Sequence, residues 1–218
     1  MPETSVVICN WNNSKYIARA IRSCLKQSLP KHKYEIVVVD DASTDNSREI
    51  IESFGDKVVP VFLEKNGGVA NASNVGIKKA LGKYIIRVDS DDYINENTLL
   101  FLSEILNWNH DIGFVYADHL KVEEDESVRE HVVINTLDLM LRHGAGIIMR
   151  KQYLEVLGLY NKDLRNAEDF DLLKRYISNF NGYHLKVPLY RYRQHGGNMT
   201  RDVEERQRWE KISDENRQ

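Results

Sequence analysis

The sequence predicts an α/β protein built on a mostly parallel, Rossmann-like sheet flanked by helices. Three observations predict it. Apolar, strand-like runs alternate four times with amphipathic helical segments over roughly the first hundred residues. The second run, "YEIVVVDD", is apolar without alternation, as a strand buried on both faces must be. Polar or acidic clusters follow three of the runs, "CNWNN", "DDASTD" and "DSDD", at the strand ends where such sheets bind ligands.

Taken in order, "SVVICNW" reads as a strand ending near Cys9. "SKYIARAIRSCLKQS" places Ile17, Ile21, Cys24 and Leu25 at helical spacing, with Ser14 as N-cap. After the second strand, "STDNSREIIESF" opens on capping residues and continues as a helix through Ile50, Ile51 and Phe54. "KVVPVFLE" is a third strand, whose proline places it at an edge or an irregular position. "NGGVANASNVGIKKAL" turns from a glycine pair into a helix. "GKYIIRVD" is the fourth strand, and "NTLLFLSEIL" the helix after it. The second half is less regular. "IGFVYADHLKV" reads as a strand, and the charge run "EEDESVRE" as a solvated loop or turn. "AGIIMRKQYLEVLG" mixes strand and helix, "AEDFDLLKRYISNF" is helical, and "YHLKVPLYRYRQH" returns to strand. The polar stretch 201–218 reads as a surface helix or a frayed end.

The bulk numbers bound the function. A chain of 218 residues with 42% hydrophobic and 29% charged residues is a globular protein with a sizeable core. A formal net charge of −3 speaks against broad nucleic-acid binding. Cys9 and Cys24 sit in no metal-binding spacing and read as buried thiols. With no secretory pattern in "MPETSVVICNW" and no apolar stretch long enough to span a bilayer, the expected location is the cytoplasm, with association at the inner membrane face left open.

In an extended "VDSDD", Asp89 and Asp91 project to one side. Two carboxylates there suit a hard divalent cation, and the plain alternative is an acidic turn ahead of a helix. "VVVDDASTD" reads either as a strand end with a cap at Ser43, Thr44 or Asp45, or as an acceptor for a ligand N–H from Asp40 or Asp41. Trp11 is either a core anchor or a stacking platform for a base. Gly67 and Gly68 permit close backbone approach at a helix N-terminus, or simply make a turn. Glu168, Asp169 and Asp171 open a helix, where acids already favour the dipole. Arg191 and Arg193 alternate onto one strand face, and His195 follows them ahead of a glycine pair.

Together "SVVICNWN", "VVVDDASTDNS", "NGGVANASNVGI…GKYIIRVDSDD", "NAEDFDLLKRY" and "YRYRQHGGNMT" resemble the family 2 inverting glycosyltransferases of the GT-A fold, in family order from about residue 4 to 200. The resemblance implies one domain over 1–200, with a nucleotide-binding half (1–93) and an acceptor or catalytic half (94–200). It implies nucleotide contacts from Cys9, Trp11, Asp40, Asp41, Asn66, Gly68, Asn74, Asp89 and Ser90. Asp91 and His195 would hold Mn²⁺ or Mg²⁺, with Asp92, Arg191 and Arg193 in support. Asp169 would be the general base and Glu168 would position a substrate. The reaction implied is inverting transfer of a sugar from a nucleotide-diphospho-sugar, a UDP-sugar foremost, to a glycan or lipid-linked acceptor in polysaccharide assembly. The alternatives are a non-catalytic nucleotide-sugar module, and a sugar nucleotidyltransferase of related fold. A receiver domain is a poorer match, since it leaves the second-half motifs without a role. The chain departs from the pattern at Ser73, where the family often has Arg; Lys79, Arg87 or Arg193 would have to replace that cation. The charge that offsets the three carboxylates of "DSDD" is expected to arrive as the metal bound with the donor.

Overall fold

The computed structural model describes residues 1–135, 141, 144–164, 167–198 and 203–215. Four parallel strands build the first half: β1 (Thr4–Asn10), β2 (Tyr34–Asp40), β3 (Val59–Phe62) and β4 (Tyr84–Asp89). They alternate with α1 (Ile17–Leu25), α2 (Ser47–Glu52) and α3 (Gly68–Lys79). There follow β5 (Tyr93–Ile94), α4 (Thr98–Trp108), and the hairpin of β6 (Ile112–Val122) and β7 (Val128–Val132). The remainder comprises β8 (Ile148–Arg150), α5 (Lys151–Val156), α6 (Glu168–Ile177), β9 (Asn181–Arg193) and α7 (Val203–Glu215). The strands share one nine-stranded sheet in the order β3-β2-β1-β4-β8-β6-β9-β5, with β7 on β6.

Burial on both faces accounts for the unbroken apolar runs. Val6 and Ile8 of β1 pack with Ile17 and Ile21 of α1 and with Leu99 and Leu102 of α4. Val7, between them in sequence, belongs to the opposite layer with Ile77 of α3, Leu154 of α5, and Leu172 and Tyr176 of α6. Each such side chain contributes roughly 1.5–3 kcal/mol on leaving water. The proline-bearing strand β3 lies at the sheet edge, as Pro60 foretold.

The parallel character stops at β4. The β4–β8, β8–β6, β6–β7 and β5–β9 ladders are antiparallel, and β6–β9 is parallel. Connection length is the reason. Ser90, Asp91 and Asp92 alone separate β4 from β5, and a parallel return needs a crossover of a dozen residues or so. This geometry positions the site: β5 follows the "DSDD" turn at once and pairs with β9, Tyr93 opposite Arg191 and Ile94 opposite Tyr190. The exit of β9 is thereby brought to the end of β4.

One local expectation needs correction. Ser14 does not cap α1: the helix begins at Ile17 without a side-chain cap, and the Ser14 N–H donates to Asp45 Oδ2 at 2.9 Å. Of the two readings of the polar C-terminal stretch, the helix holds over 203–215. It forms α7, which buries Glu210 and Ser213, and Ser213 Oγ donates to Asp171 Oδ1 of α6. Among the described residues no helix is long and apolar enough to cross a membrane.

Gly76 sets the distance between α3 and the sheet. A Cβ there would lie 2.4 Å from Val7 Cγ1 and 3.2 Å from Val39 Cγ2. Gly76→Ala should cost about 1–3 kcal/mol through overpacking, more than the helix-propensity gain of just under about 1 kcal/mol. A lower urea midpoint at unchanged m-value is the expected reading.

Candidate active site

The three strand ends converge. Asn10 stands level with Asp40 across β1–β2, and Cys9 level with Asp89 across β1–β4. Asp40 is tied into its own turn: Oδ1 accepts from Asn10 Nδ2 at 2.8 Å and Ser43 Oγ at 2.6 Å, and Oδ2 from the Ser43 N–H. Asp41 reaches across to α3. Its two oxygens accept the N–H groups of Gly67 (2.9 Å) and Gly68 (2.8 Å), and Asn66 Nδ2 donates to its carbonyl. A carboxylate thus satisfies donors at a helix start that have no partner inside the helix, at the positive end of its dipole. Gly68 has φ +81°, which favours glycine. Both carboxylates are buried, and Trp11 beside them is 56% exposed.

The amide of Asn74, expected among the nucleotide contacts, is turned instead onto the backbone of Tyr160. Nδ2 donates to its carbonyl at 2.9 Å and Oδ1 accepts its N–H at 3.0 Å. The Cys9 thiol is turned to the buried Ser73, with Sγ 3.4 Å from Ser73 Oγ, and burial pushes it up to about 12. Ser73 itself lines a narrow cavity together with Arg87, Gly144 and Tyr160. Of the three cations weighed as replacements for an arginine at Ser73, Arg87 is the one in this cavity. Lys79 is exposed on α3, and Arg193 is engaged elsewhere.

The carboxylates of "DSDD" have separate environments. Asp92 is fully buried. Its Oδ1 accepts the Arg193 N–H and its Oδ2 the Tyr190 hydroxyl, both at 2.8 Å. Burial, then Asp91 and Asp89, push its carboxyl well above the usual range. Asp91 is partly exposed, and its Oδ2 lies 2.8 Å from His195 Nε2. His195 Nδ1 accepts the Gly197 N–H, so Nε2 carries the proton and donates to Asp91. Asp91 Oδ1 has no hydrogen-bond partner among the described residues. Asp89 Oδ1 lies 3.2 Å from Arg87 Nε, and the Asp89 N–H donates to Tyr190. Burial pushes the Asp89 carboxyl up to about 6 against the pull of Arg87. Ser90 Oγ accepts from Asn13 Nδ2, which joins this turn to the loop after β1. Part of the compensating charge is therefore the protein's own, in correction of the expectation that it arrives entirely with a metal.

The charge run "EEDESVRE" is an exposed turn, as read from its composition, and it also has partners. It makes the β6–β7 turn, and its acids pair across to α1 and β9. Glu124 accepts from Lys15 and Tyr16, and Glu126 from Arg19 and Arg193. Arg193 also donates to the carbonyls of Asp91 and Glu124, so it pins the hairpin to the "DSDD" turn. Arg191 does not join it: its guanidinium folds back onto the Pro188 carbonyl.

From the second half of the chain, α6 delivers Glu168 and Asp169. The Asp169 carboxylate receives a side-on fork from Arg87, Nη1 to Oδ1 at 2.7 Å and Nη2 to Oδ2 at 2.6 Å. A Cβ on Gly144 would lie 2.2 Å from Asp169 Cγ, so the carboxylate lies where only a glycine leaves room. Glu168 is buried, its Oε2 lacks a partner among the described residues, and burial with the adjacent Asp169 pushes it up to about 7. Sequence reasoning missed Arg87 as the anchor of Asp169, and Tyr190 and the acidic turn altogether. One signal was available: an arginine inside the otherwise apolar strand "YIIRV" is buried only if a carboxylate meets it.

Comparison with known proteins decides the family. The family described as "Glycosyl transferase family 2" matches residues 5–158. The chain belongs to glycosyl transferase family 2. It is 38% identical over 113 residues to the poly(ribitol-phosphate) beta-N-acetylglucosaminyltransferase TarS of Staphylococcus aureus (strain Mu50), covering 50% of this chain and 20% of that protein. It is 43% identical over 125 residues to the glycosyltransferase GlyG of Streptococcus pneumoniae serotype 4, covering 56% and 40%. The chain thus spans well under half the length of either relative. The crystal structure of S. aureus TarS 1–349 in complex with UDP-GlcNAc superimposes with a TM-score of 0.79 at 27% identity, over 92% of this chain and 61% of that one. The mannosyltransferase PcManGT from Pyrobaculum calidifontis, in complex with GDP-Man and Mn²⁺, aligns with all of this chain and 65% of its own at TM-score 0.77; at 20% identity the likeness is one of fold. The fold is that of the GT-A glycosyltransferases.

Two measurements separate the roles of the site's acids. Asp92→Ala strips the acceptor from two buried donors and should lower stability by about 2–4 kcal/mol, whereas Asp91→Ala, at a partly exposed carboxylate, should cost less than about 1 kcal/mol; urea titration of both variants checks this. Glu168 binds a proton up to about 7 when folded and up to 4.5 when unfolded. The folded state therefore holds the extra proton in that window, and stability falls as pH rises through it. Glu168→Gln should raise the melting temperature above that of the unaltered chain at pH 8, with the gain vanishing near pH 4.5 in a pH series of thermal melts.

Proposed function

We propose that this chain is the donor-binding and catalytic domain of an inverting transferase. It moves a sugar from a nucleotide-diphospho-sugar, a UDP-sugar first, to a hydroxyl of a glycan or lipid-linked acceptor in polysaccharide assembly. One observation carries the reading: the guanidinium of Arg87 touches both Asp89 on β4 and Asp169 on α6. The donor-side acid and the candidate base, from opposite halves of the chain, lie within one arginine's span.

The division of labour follows from which groups have capacity left. Trp11 offers an exposed indole face for a base, since aromatic faces stack well on any base. The Asp41 carboxylate occupies the first N–H groups of α3 and so fixes that turn beside the site. Asp89 accepts hydroxyl hydrogens of the ribose. Asp91 and His195 are the residues that would hold a divalent ion, which would displace the proton that His195 Nε2 now donates to Asp91. The donor set fits Mn²⁺ or Mg²⁺. No group of three His, Cys, Asp or Glu able to hold an ion occurs among the described residues, so the diphosphate and water would complete the coordination, as is usual for Mg²⁺. Bound there, the ion would supply positive charge to the departing diphosphate. Asp169, partly exposed, takes the proton from the acceptor hydroxyl as its oxygen attacks the anomeric carbon. A single displacement of this kind inverts that carbon. Glu168, whose proton burial retains up to about 7, is available below that pH to donate a hydrogen bond to substrate.

The test is a thermal-shift panel of UDP-, GDP- and dTDP-sugars with and without Mn²⁺, followed by turnover of the best donor. A UDP-sugar should raise the melting temperature in Mn²⁺, and Asp91→Ala should lose the Mn²⁺-dependent part of that shift. Asp169→Asn should keep the shift and lose turnover by about 10²–10⁴-fold. Turnover by Asp169→Asn at the unaltered rate, or a product with retained anomeric configuration, would sink the reading.

A further inference from the structure

We propose that Arg87 is the positioning residue of this site: it fixes the Asp169 carboxylate in the orientation that meets the acceptor. The proposal rests on the reading of Asp169 as the base and extends it to a residue of β4.

Three observations on different elements support it. The fork is bidentate and short, with both Asp169 oxygens engaged at 2.7 and 2.6 Å. Such planar pairing sets direction as well as distance. The Arg87 side chain is 6% exposed and that of Asp169 22%, so the arginine is enclosed and the carboxylate keeps an open side. Each oxygen gives one lone pair to the fork and retains another for an incoming hydroxyl. Behind Asp169 stands Gly144, with no space for even a methyl group. The carboxylate is held between a rigid fork and a bare backbone.

The fork also selects between two neighbouring acids. Glu168 precedes Asp169 on the same first turn of α6, yet Arg87 bonds Asp169, and Glu168 Oε2 has no partner among the described residues. The arginine thereby determines which acid of the pair is held in one orientation. Stability alone is a poor account of the arrangement, because a buried ion pair is often no better than an apolar pair of the same volume. The other end of the same guanidinium explains more. Arg87 Nε lies 3.2 Å from Asp89 Oδ1, two residues along the strand. One side chain therefore holds the base at a fixed distance from the edge that would receive the donor. A base placed about 1 Å wrong can cost roughly 10²-fold in rate.

Release of the nucleoside diphosphate, with water as acceptor, from the sugar nucleotide selected by the panel tests the proposal on the full chain. Arg87→Gln and Arg87→Lys should each lower kcat by about 10²-fold while donor KM changes less than about threefold. Guanidinium ion added to Arg87→Ala should restore part of the lost kcat, and ammonium should not. Arg87→Gln combined with Asp169→Asn should be no slower than Asp169→Asn alone, since one residue acts through the other. Gly144→Ala displaces Asp169 without touching Arg87 and should reproduce the kcat loss if the arginine variants do not fold. Unaltered kcat in Arg87→Gln or in Gly144→Ala, with Asp169→Asn inactive, would overturn the positioning role and leave the base intact. An active Asp169→Asn, or no turnover by the unaltered chain with any sugar in the panel, would overturn the functional reading and this proposal with it.

Discussion

Carboxylates crowded at one sheet edge have to be held against their mutual repulsion, and each of them here has a different partner. At about 4 Å, two like charges repel by roughly 4 kcal/mol at the effective dielectric near a protein surface. Asp89, Asp91 and Asp92 would bear this cost together if each were left bare. They are not treated alike. Arg87 faces Asp89, His195 faces Asp91, and Asp92 is buried against a tyrosine hydroxyl and the N–H of Arg193. Burial and the nearby charges of Asp91 and Asp89 favour the protonated form of Asp92, against the pull of its two donors.

The antiparallel half of the sheet serves this arrangement. A wholly parallel sheet would send the chain away from the end of β4 through a long crossover. The chain instead enters β5 within three residues and pairs with β9. That pairing places Tyr190, Arg193 and His195 around the turn from a hundred residues away. The β6–β7 turn closes the far side: Glu124 and Glu126 tie it to α1, and Arg193 ties it to Asp91. Exposed pairs such as Lys15–Glu124 add little by themselves. The buried Arg193 contacts are the ones that fix the hairpin to the site.

What could be read from the sequence was what repeats or alternates. The strands, the three clusters at their ends and the edge position of Pro60 follow from apolar runs and their punctuation. Partner choice did not follow. Arg87 and Asp169 are 82 residues apart, and no local pattern pairs them. "EEDESVRE" has the composition of a solvated loop or turn, and its acids find partners at the start of α1 and on β9, which no local pattern announces. Asn74 sits in a motif that pointed to a ligand, yet its amide finds a backbone, because polar groups near a buried loop are taken up by whatever unpaired N–H and C=O lie closest.

The same accounting separates the atoms that hold the fold from those left for a ligand. Asp40, Asp41 and Asp92 are 3%, 3% and 1% exposed, and every one of their side-chain oxygens already accepts at least one hydrogen bond from the protein. Asp91 has one oxygen on His195 and one without a partner, and Asp169 has both on a single fork with an open side. Motif position ranks these aspartates nearly equally. Hydrogen-bond capacity does not: a carboxylate whose lone pairs are spent on N–H groups of its own turn has little left to offer, whereas one held from a single side is oriented and still able to accept. By that criterion Asp89, Asp91 and Asp169 are the acids with capacity left for a ligand, and the buried guanidinium of Arg87 lies between the first and the last of them, joining the two halves of the chain.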